Sequence, residues 1–191
     1  MPRGLVLGLS LAQIAERARF LASPECPDGY YLLKEHNGGK DPNAPDPFDR
    51  WSKPGSAHVN RTADCIGGAA WCGGFDRYQP RRFAHIYSGW VNTDSMLLDA
   101  QGPRRCFVPL DRPVPGCFVV APSNSPGHRI GHIGTVVAVP AEWDAELEDC
   151  WRRVKVVDVA SRTGRANRAT TAIGWFAARK QGAWVRSVMT P

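Results

Sequence analysis

Three runs rich in β-branched residues, Cys117–Ala121, His132–Val139 and Val154–Ala160, fall in the second half of the chain. Side chains of that kind suit a pleated surface, so each run predicts a strand. The chain ahead of them reads as helix and loop. From Ser10 to Leu21, the residues Leu11, Ile14, Ala15, Ala18 and Leu21 recur at the spacing of an amphipathic helix, with Ser10 as candidate N-cap. A helix-led part followed by a run of strands predicts an α+β domain. Phe176 to the C-terminus is expected to add a further strand. With 191 residues, a single domain over 1–191 is long enough to bury a core without crosslinks. No internal repeat is visible.

The spacing between these elements is unusual. Sixteen Pro and nineteen Gly imply many turns and long loops and argue against a helical bundle. Ser23 to Arg61 ("EHNGGKDPNAPDPFDRWSKPGS" at its centre) reads as a long irregular insertion, and such segments are usually functional or mobile. The net charge of +6 favours an anionic partner. The basic residues come in scattered pairs (Arg81-Arg82, Arg104-Arg105, Arg152-Arg153), which makes a diffuse positive surface and not a dedicated nucleic-acid arm. The N-terminus, "MPRGLVLGLSLAQIAERARF", has an apolar run but no convincing cleavage site for a signal peptide and is read as helix, a signal peptide being the minority alternative. No stretch approaches the length of apolar chain that spans a membrane. A monomer made in the cytoplasm is expected.

Chemistry concentrates in "TADCIGGAAWCGG", residues 62–74. Asp64 is a candidate N-cap, with a short helix over Asp64–Trp71 that would put Cys65 in its first turn. The unpaired N–H groups and the helix dipole there favour a thiolate, the nucleophile of a cysteine hydrolase. Gly67 and Gly68 would let a substrate or another backbone approach closely. Cys72, two turns deeper, reads as a small buried apolar residue. The six cysteines contain no CxxC pair, so zinc-ribbon and thioredoxin patterns are excluded.

A nucleophilic thiol needs a base, drawn from His36, His58, His85, His128 and His132. In "GHIGTVVAVP", His132 opens a strongly apolar strand and would be held on rigid backbone. His128 precedes it in a Pro/Gly loop and is expected to face solvent. In the following strand, "VKVVDVAS", Asp158 is the polar position after Lys155 and can orient His132 and stabilise its protonated form; Ser161 is the fallback. The backbone N–H of Cys65 is a candidate oxyanion donor.

Four segments together carry a resemblance. "ADCIGGAAW" resembles the nucleophile segment of the NlpC-type, papain-like cysteine peptidases and amidases that degrade cell walls. "VPGCFVVAP" followed by "GHIGTVVAV" resembles their Pro-Gly-Asp strand and the strand opening with the catalytic His, and "VKVVDVASR" resembles the strand carrying the third polar residue. "DGYYLLKEHNGG" sits where that family has an aromatic-Gly-Gly segment. The order matches from about Ser10 to Trp175, and CHAP-type phage and bacterial lysins belong to the same wider class. The chain departs from the pattern at Ile66, where Ser is usual, and at Cys117, where Asp is usual; Ser23–Arg61 and Pro140–Arg153 are longer than typical. The resemblance implies a papain-like fold, with the nucleophile helix packed on an antiparallel sheet, and hydrolysis of an amide bond in peptidoglycan without cofactor or metal. It implies catalytic roles for Cys65, His132 and Asp158, and a hydroxyl from Tyr30 or Tyr31 near the oxyanion. It also implies action on the cell wall after lysis, carriage on a virion or export.

Substrate contacts are expected from Tyr31, Asp64, Asp76, Arg77 and Trp90, the last within a polar loop that also holds Asn92, Thr93 and Asp94. Trp71, Trp143, Trp151, Trp175 and Trp184 read as core or loop anchors. Two other functions fit parts of the pattern. One is a zinc module on Cys65, Cys72, His128 and His132, whose His-x₃-His spacing suits the metal while the cysteine spacing does not. The other is a non-catalytic basic nucleic-acid-binding domain, which lacks the clustered charge such a surface needs.

Overall fold

The structure is a computed structural model, and it describes residues 9–23, 65–75, 89, 91–103, 106–158 and 168–187. It is α+β. Among the described residues the helices are α1 (Leu11–Leu21), α2 (Cys65–Gly73), α3 (Thr93–Gln101), α4 (Glu148–Arg153) and α5 (Ile173–Phe176). The strands are β1 (Phe107–Leu110), β2 (Phe118–Ser125), β3 (His128–Ala138), β4 (Lys155–Asp158), β5 (Arg168–Thr171) and β6 (Ala183–Ser187). They form a six-stranded sheet in the order β1-β6-β2-β3-β4-β5, antiparallel at every pairing.

Helix α1 forms as its pattern predicts. Ser10 Oγ accepts from the Gln13 backbone N–H at 3.2 Å while the Gln13 side chain accepts from the Ser10 N–H at 2.8 Å, closing a capping box. Ile14, Ala15, Ala18 and Leu21 are buried. Arg19 on its last turn donates to the Val137 carbonyl at 2.6 Å, where the β3–β4 register shifts between Val136 and Ala138. The bulge leaves that carbonyl out of the ladder and the helix supplies its donor.

Alternation along the strands divides the core in two. On one face Phe118, Val120, Ile133, Val137 and Val157 pack with Ile14, Ala18, Ile66, Ala70 and Met96 from α1, α2 and α3. On the other, Val119, Val136 and Val156 pack with Trp151 of α4, Trp175 of α5 and Trp184 of β6. Trp151 and Trp184 approach to 4.9 Å between ring centroids, with Trp143 set edge-on to Trp184 at 5.5 Å. The tryptophans are anchors here, as their size suggests.

Several expectations need correction. Trp90–Asp94 was expected as a polar loop, but helix α3 begins at Thr93: Asn92 Oδ1 accepts from the Ser95 N–H at 2.8 Å, and Ser95 Oγ accepts from the Asn92 N–H at 2.8 Å. The strand expected over His132–Val139 starts four residues earlier, because Pro126-Gly127 makes a two-residue turn and Ser125 pairs with His128. The strand expected over Cys117–Ala121 runs on to Ser125 for the same reason. The further strand expected between Phe176 and the C-terminus is present at Ala183–Ser187, after Phe176 has closed a short helix. The connection Pro140–Arg153 contains α4. The insertion beyond Ser23, as far as Arg61, lies outside the described residues. No helix among the described residues is long and apolar enough to cross a membrane.

Candidate active site

Cys65 is the first residue of α2, half-buried, with a free thiol. Its position puts the sulfur beside the outward-pointing N–H groups and the positive end of the helix dipole. Gly67, Gly68, Ala69 and Ala70 are all buried, so the small residues of the motif bring the α2 backbone close against the sheet. Cys65, Gly68 and Ala69 line a narrow gap with Ile133, Gly134, Val157 and Asp158. The thiol is thereby carried to the junction of β3 and β4.

The register of β3 and β4 sets the next two residues. Gly134 pairs with Asp158. A Cβ on Gly134 would stand 3.3 Å from the Asp158 Cβ and 2.3 Å from Val156 Cγ1. Glycine leaves the carboxylate room to reach diagonally to His132, two residues earlier on β3. His132 Nε2–H donates to Asp158 Oδ2 at 2.7 Å, with the two side chains 17% and 14% exposed. Cys65, at the start of α2, acts on the same ring and favours its protonated form. Burial by itself disfavours the charged ring. The hydrogen bond to Asp158, the influence of Cys65 and the negative charge that both can carry outweigh it, and the His132 pKa is pushed up to about 10. Such a ring holds its proton at neutral pH.

The His132 ring is also packed flat. Trp175 lies 5.5 Å away with an interplanar angle of 10°, within the range where an indole face attracts a cation. His128 is the second layer, 5.6 Å from His132 at 16° and 5.5 Å from Trp175 at 25°. Its expected exposure in a loop is therefore wrong: it sits half-buried on β3, held there by the Pro126-Gly127 turn. Its Nε2–H donates to the Gly174 carbonyl at 3.2 Å.

The structure thus brings Cys65, His132 and Asp158 together from α2, β3 and β4. Tyr31, Asp64, Asp76, Arg77, Trp90 and Ser161 lie outside the described residues. Among the described residues no group of three or more His, Cys, Asp or Glu side chains is arranged to hold a metal ion. Cys72, 1% exposed, packs in the core two turns from Cys65, so the set Cys65, Cys72, His128 and His132 does not converge.

Sequence reasoning missed three contributors. Trp175 carried no signal beyond its size. Thr93 and Asp94 brace the His132 hairpin from the start of α3: Asp94 accepts from the Ser123 N–H and hydroxyl, both at 2.8 Å, and Thr93 Oγ1 sits where a Cβ on Gly131 would be. Their signal was the Asn92–Ser95 capping spacing. Compared with known protein families, with curated proteins and with solved structures, the chain matches none.

Proposed function

We propose that this chain is a papain-like cysteine hydrolase of the NlpC type, cutting an amide bond in the stem peptides of peptidoglycan. The observation that carries this reading is the convergence of Cys65, His132 and Asp158 from three separate elements, with the His132 ring bonded to the Asp158 carboxylate and under the influence of the Cys65 thiol. A buried carboxylate–imidazole pair beside a helix-start cysteine is an arrangement suited to nucleophilic catalysis.

The steps follow from the positions. Cys65 Sγ, as thiolate, attacks the amide carbon, and the carbonyl π electrons move onto oxygen. First-turn N–H groups of α2, that of Cys65 among them, face the developing oxyanion. As the C–N bond breaks, His132 gives its proton to the leaving nitrogen, leaving a thioester on Cys65 and a neutral ring. Water then attacks the thioester, His132 takes the water proton, and the acid departs from a regenerated thiolate. Asp158 keeps the ring in one tautomer and stabilises its charged form at both stages. The net positive charge of the chain suits an anionic wall, and Tyr31, Asp64, Asp76, Arg77 and Trp90 are the proposed substrate contacts. The reading places the enzyme at the wall after release or export.

Digestion of purified peptidoglycan with the fragments identified by mass tests it. New amine and carboxyl ends are expected with the wild-type chain, and none with a folded Cys65→Ala variant. Undigested wall, or digestion that persists in Cys65→Ala, removes the assignment.

A further inference from the structure

His128 is a second imidazole that the Cys65–His132–Asp158 chemistry does not use. Two residues four apart on an extended strand stand roughly 13 Å apart along the backbone, yet the His128 and His132 rings lie 5.6 Å apart and nearly parallel. Gly131 lies between them with φ +75°. That left-handed turn of backbone, which favours glycine, departs from a regular strand between the two rings. The Gly174 carbonyl, accepting from His128 Nε2–H at 3.2 Å, fixes the tautomer and plane of the outer ring. Trp175, next in sequence to that carbonyl, touches both imidazoles at 5.5 Å.

We propose that His128 is a positioning residue for the reaction assigned above: as a neutral ring clamped between Gly174, Trp175 and His132, it holds the plane of His132 so that Nε2 stays on Asp158 and the ring stays beside Cys65. The inference rests on the hydrolase reading. The surroundings favour the neutral form that this role needs. Among the described residues the groups acting on His128 are Gly174 of α5, His132 of β3 and Asp158 of β4. Burial, the largest influence, lowers its pKa below 6.5; the hydrogen bond to the Gly174 carbonyl opposes it in part, the charge of His132 lowers the pKa further, and Asp158 opposes least. A proton on His128 would set two like charges 5.6 Å apart and weaken the clamp.

The test uses the full chain, with His128→Ala and His128→Phe, the second keeping a flat ring that cannot take a proton. His128→Ala is expected to lower kcat on peptidoglycan by about tenfold or more, with KM little changed, and His128→Phe to recover most of the loss at neutral pH. The rate of Cys65 alkylation by iodoacetamide, followed from acid to neutral pH, reads the Cys65–His132 pair without any substrate. It should fall in His128→Ala and recover in His128→Phe. The wild-type rate should also carry a decline below pH 6.5 that His128→Phe lacks. Full kcat in both variants, or a His128→Phe acid limb identical to wild type, overturns the positioning role while leaving the hydrolase standing. Should His128→Ala fail to fold, the acid limb of His128→Phe decides alone. Uncut peptidoglycan alongside His128-dependent alkylation removes the substrate reading and keeps the clamp. Wild-type Cys65 alkylating no faster than Cys106 removes both.

Discussion

Asp158 illustrates what one side chain can and cannot settle by its place in a sequence. In "VKVVDVAS" it is a single polar residue in an apolar run, and a strand-end Asp facing water has the same signature. Only the pairing of Gly134 with Asp158 across the ladder puts the carboxylate on the His132 face. Cys117 is the contrasting case. It occupies the position where the expected family pattern has an Asp, but it is fully buried, its sulfur accepts the Val114 N–H at 3.4 Å, and burial pushes its thiol up to about 12. It is an apolar filler. The carboxylate beside His132 comes from Asp158 on β4. Asp158→Asn should keep the geometry, since an amide oxygen can still accept from Nε2–H, but it removes the charge. The His132 pKa should then drop from about 10, read by following its ring resonances with pH. Turnover should fall within the roughly 10²–10⁴-fold range of general acid–base catalysis with KM nearly constant. The loss should be smaller than for His132→Ala. Normal turnover in Asp158→Asn would show that Cys65 and His132 act as a dyad.

At the scale of elements, legibility follows how much of an element's identity is local. Helix α1 was readable because its cap and its apolar stripe lie within twelve consecutive residues, Ser10 to Leu21. The strands β2, β3 and β4 were readable from β-branched residues, with ends set by turn chemistry that was partly overlooked. β1 was not readable, because Pro109 argues against a strand; the structure tolerates it since, among the described residues, β1 is the sheet edge and pairs with β6 alone. The four-residue α5 carries no readable sequence signal, because a short apolar run has no decisive period. Its role is tertiary: it lays Trp175 on His132. The β2–β3 hairpin gathers these contributions. Asp94 ties it to α3 through Ser123, and Thr93 fills the space over Gly131. Gly131→Ala would place a Cβ 2.2 Å from Thr93 Oγ1 on backbone with φ +75°. Backbone strain of that kind costs roughly 1–3 kcal/mol. Chemical unfolding should register that loss, and kcat should fall because His132 is the next residue. A variant as stable and as active as wild type would mean that the hairpin accommodates a side chain there, and the bracing argument would fail.

For the molecule as a whole, the two-sided core makes stability depend on pH through groups whose ionisation the fold opposes or favours. His132 binds its proton more tightly folded (about 10) than unfolded (6.5). Between those values the native state holds more protons than the unfolded chain, so stability falls as pH rises. This contribution is fully present below about pH 6.5 and is lost as pH climbs towards about 10. Cys117 acts with the same sign at higher pH: its thiol stays neutral when folded, up to about 12, but ionises near 9.0 when unfolded. His128 acts on the other side. Its folded pKa lies below 6.5, so the unfolded chain gains that proton first and stability declines as pH falls through this range. The three together predict a stability maximum near about pH 6.5 with a long alkaline decline. Urea midpoints measured at several pH values should trace that dome. Replacing His132 with Gln removes the group responsible for the nearer alkaline limb, so the midpoint should change little between about pH 7 and pH 8.5, below the ionisation of an unfolded thiol. An alkaline slope in His132→Gln equal to that of the wild type over the same interval would mean that the His132 proton is not held by the fold, and the acid–base role assigned to it would lose its physical basis.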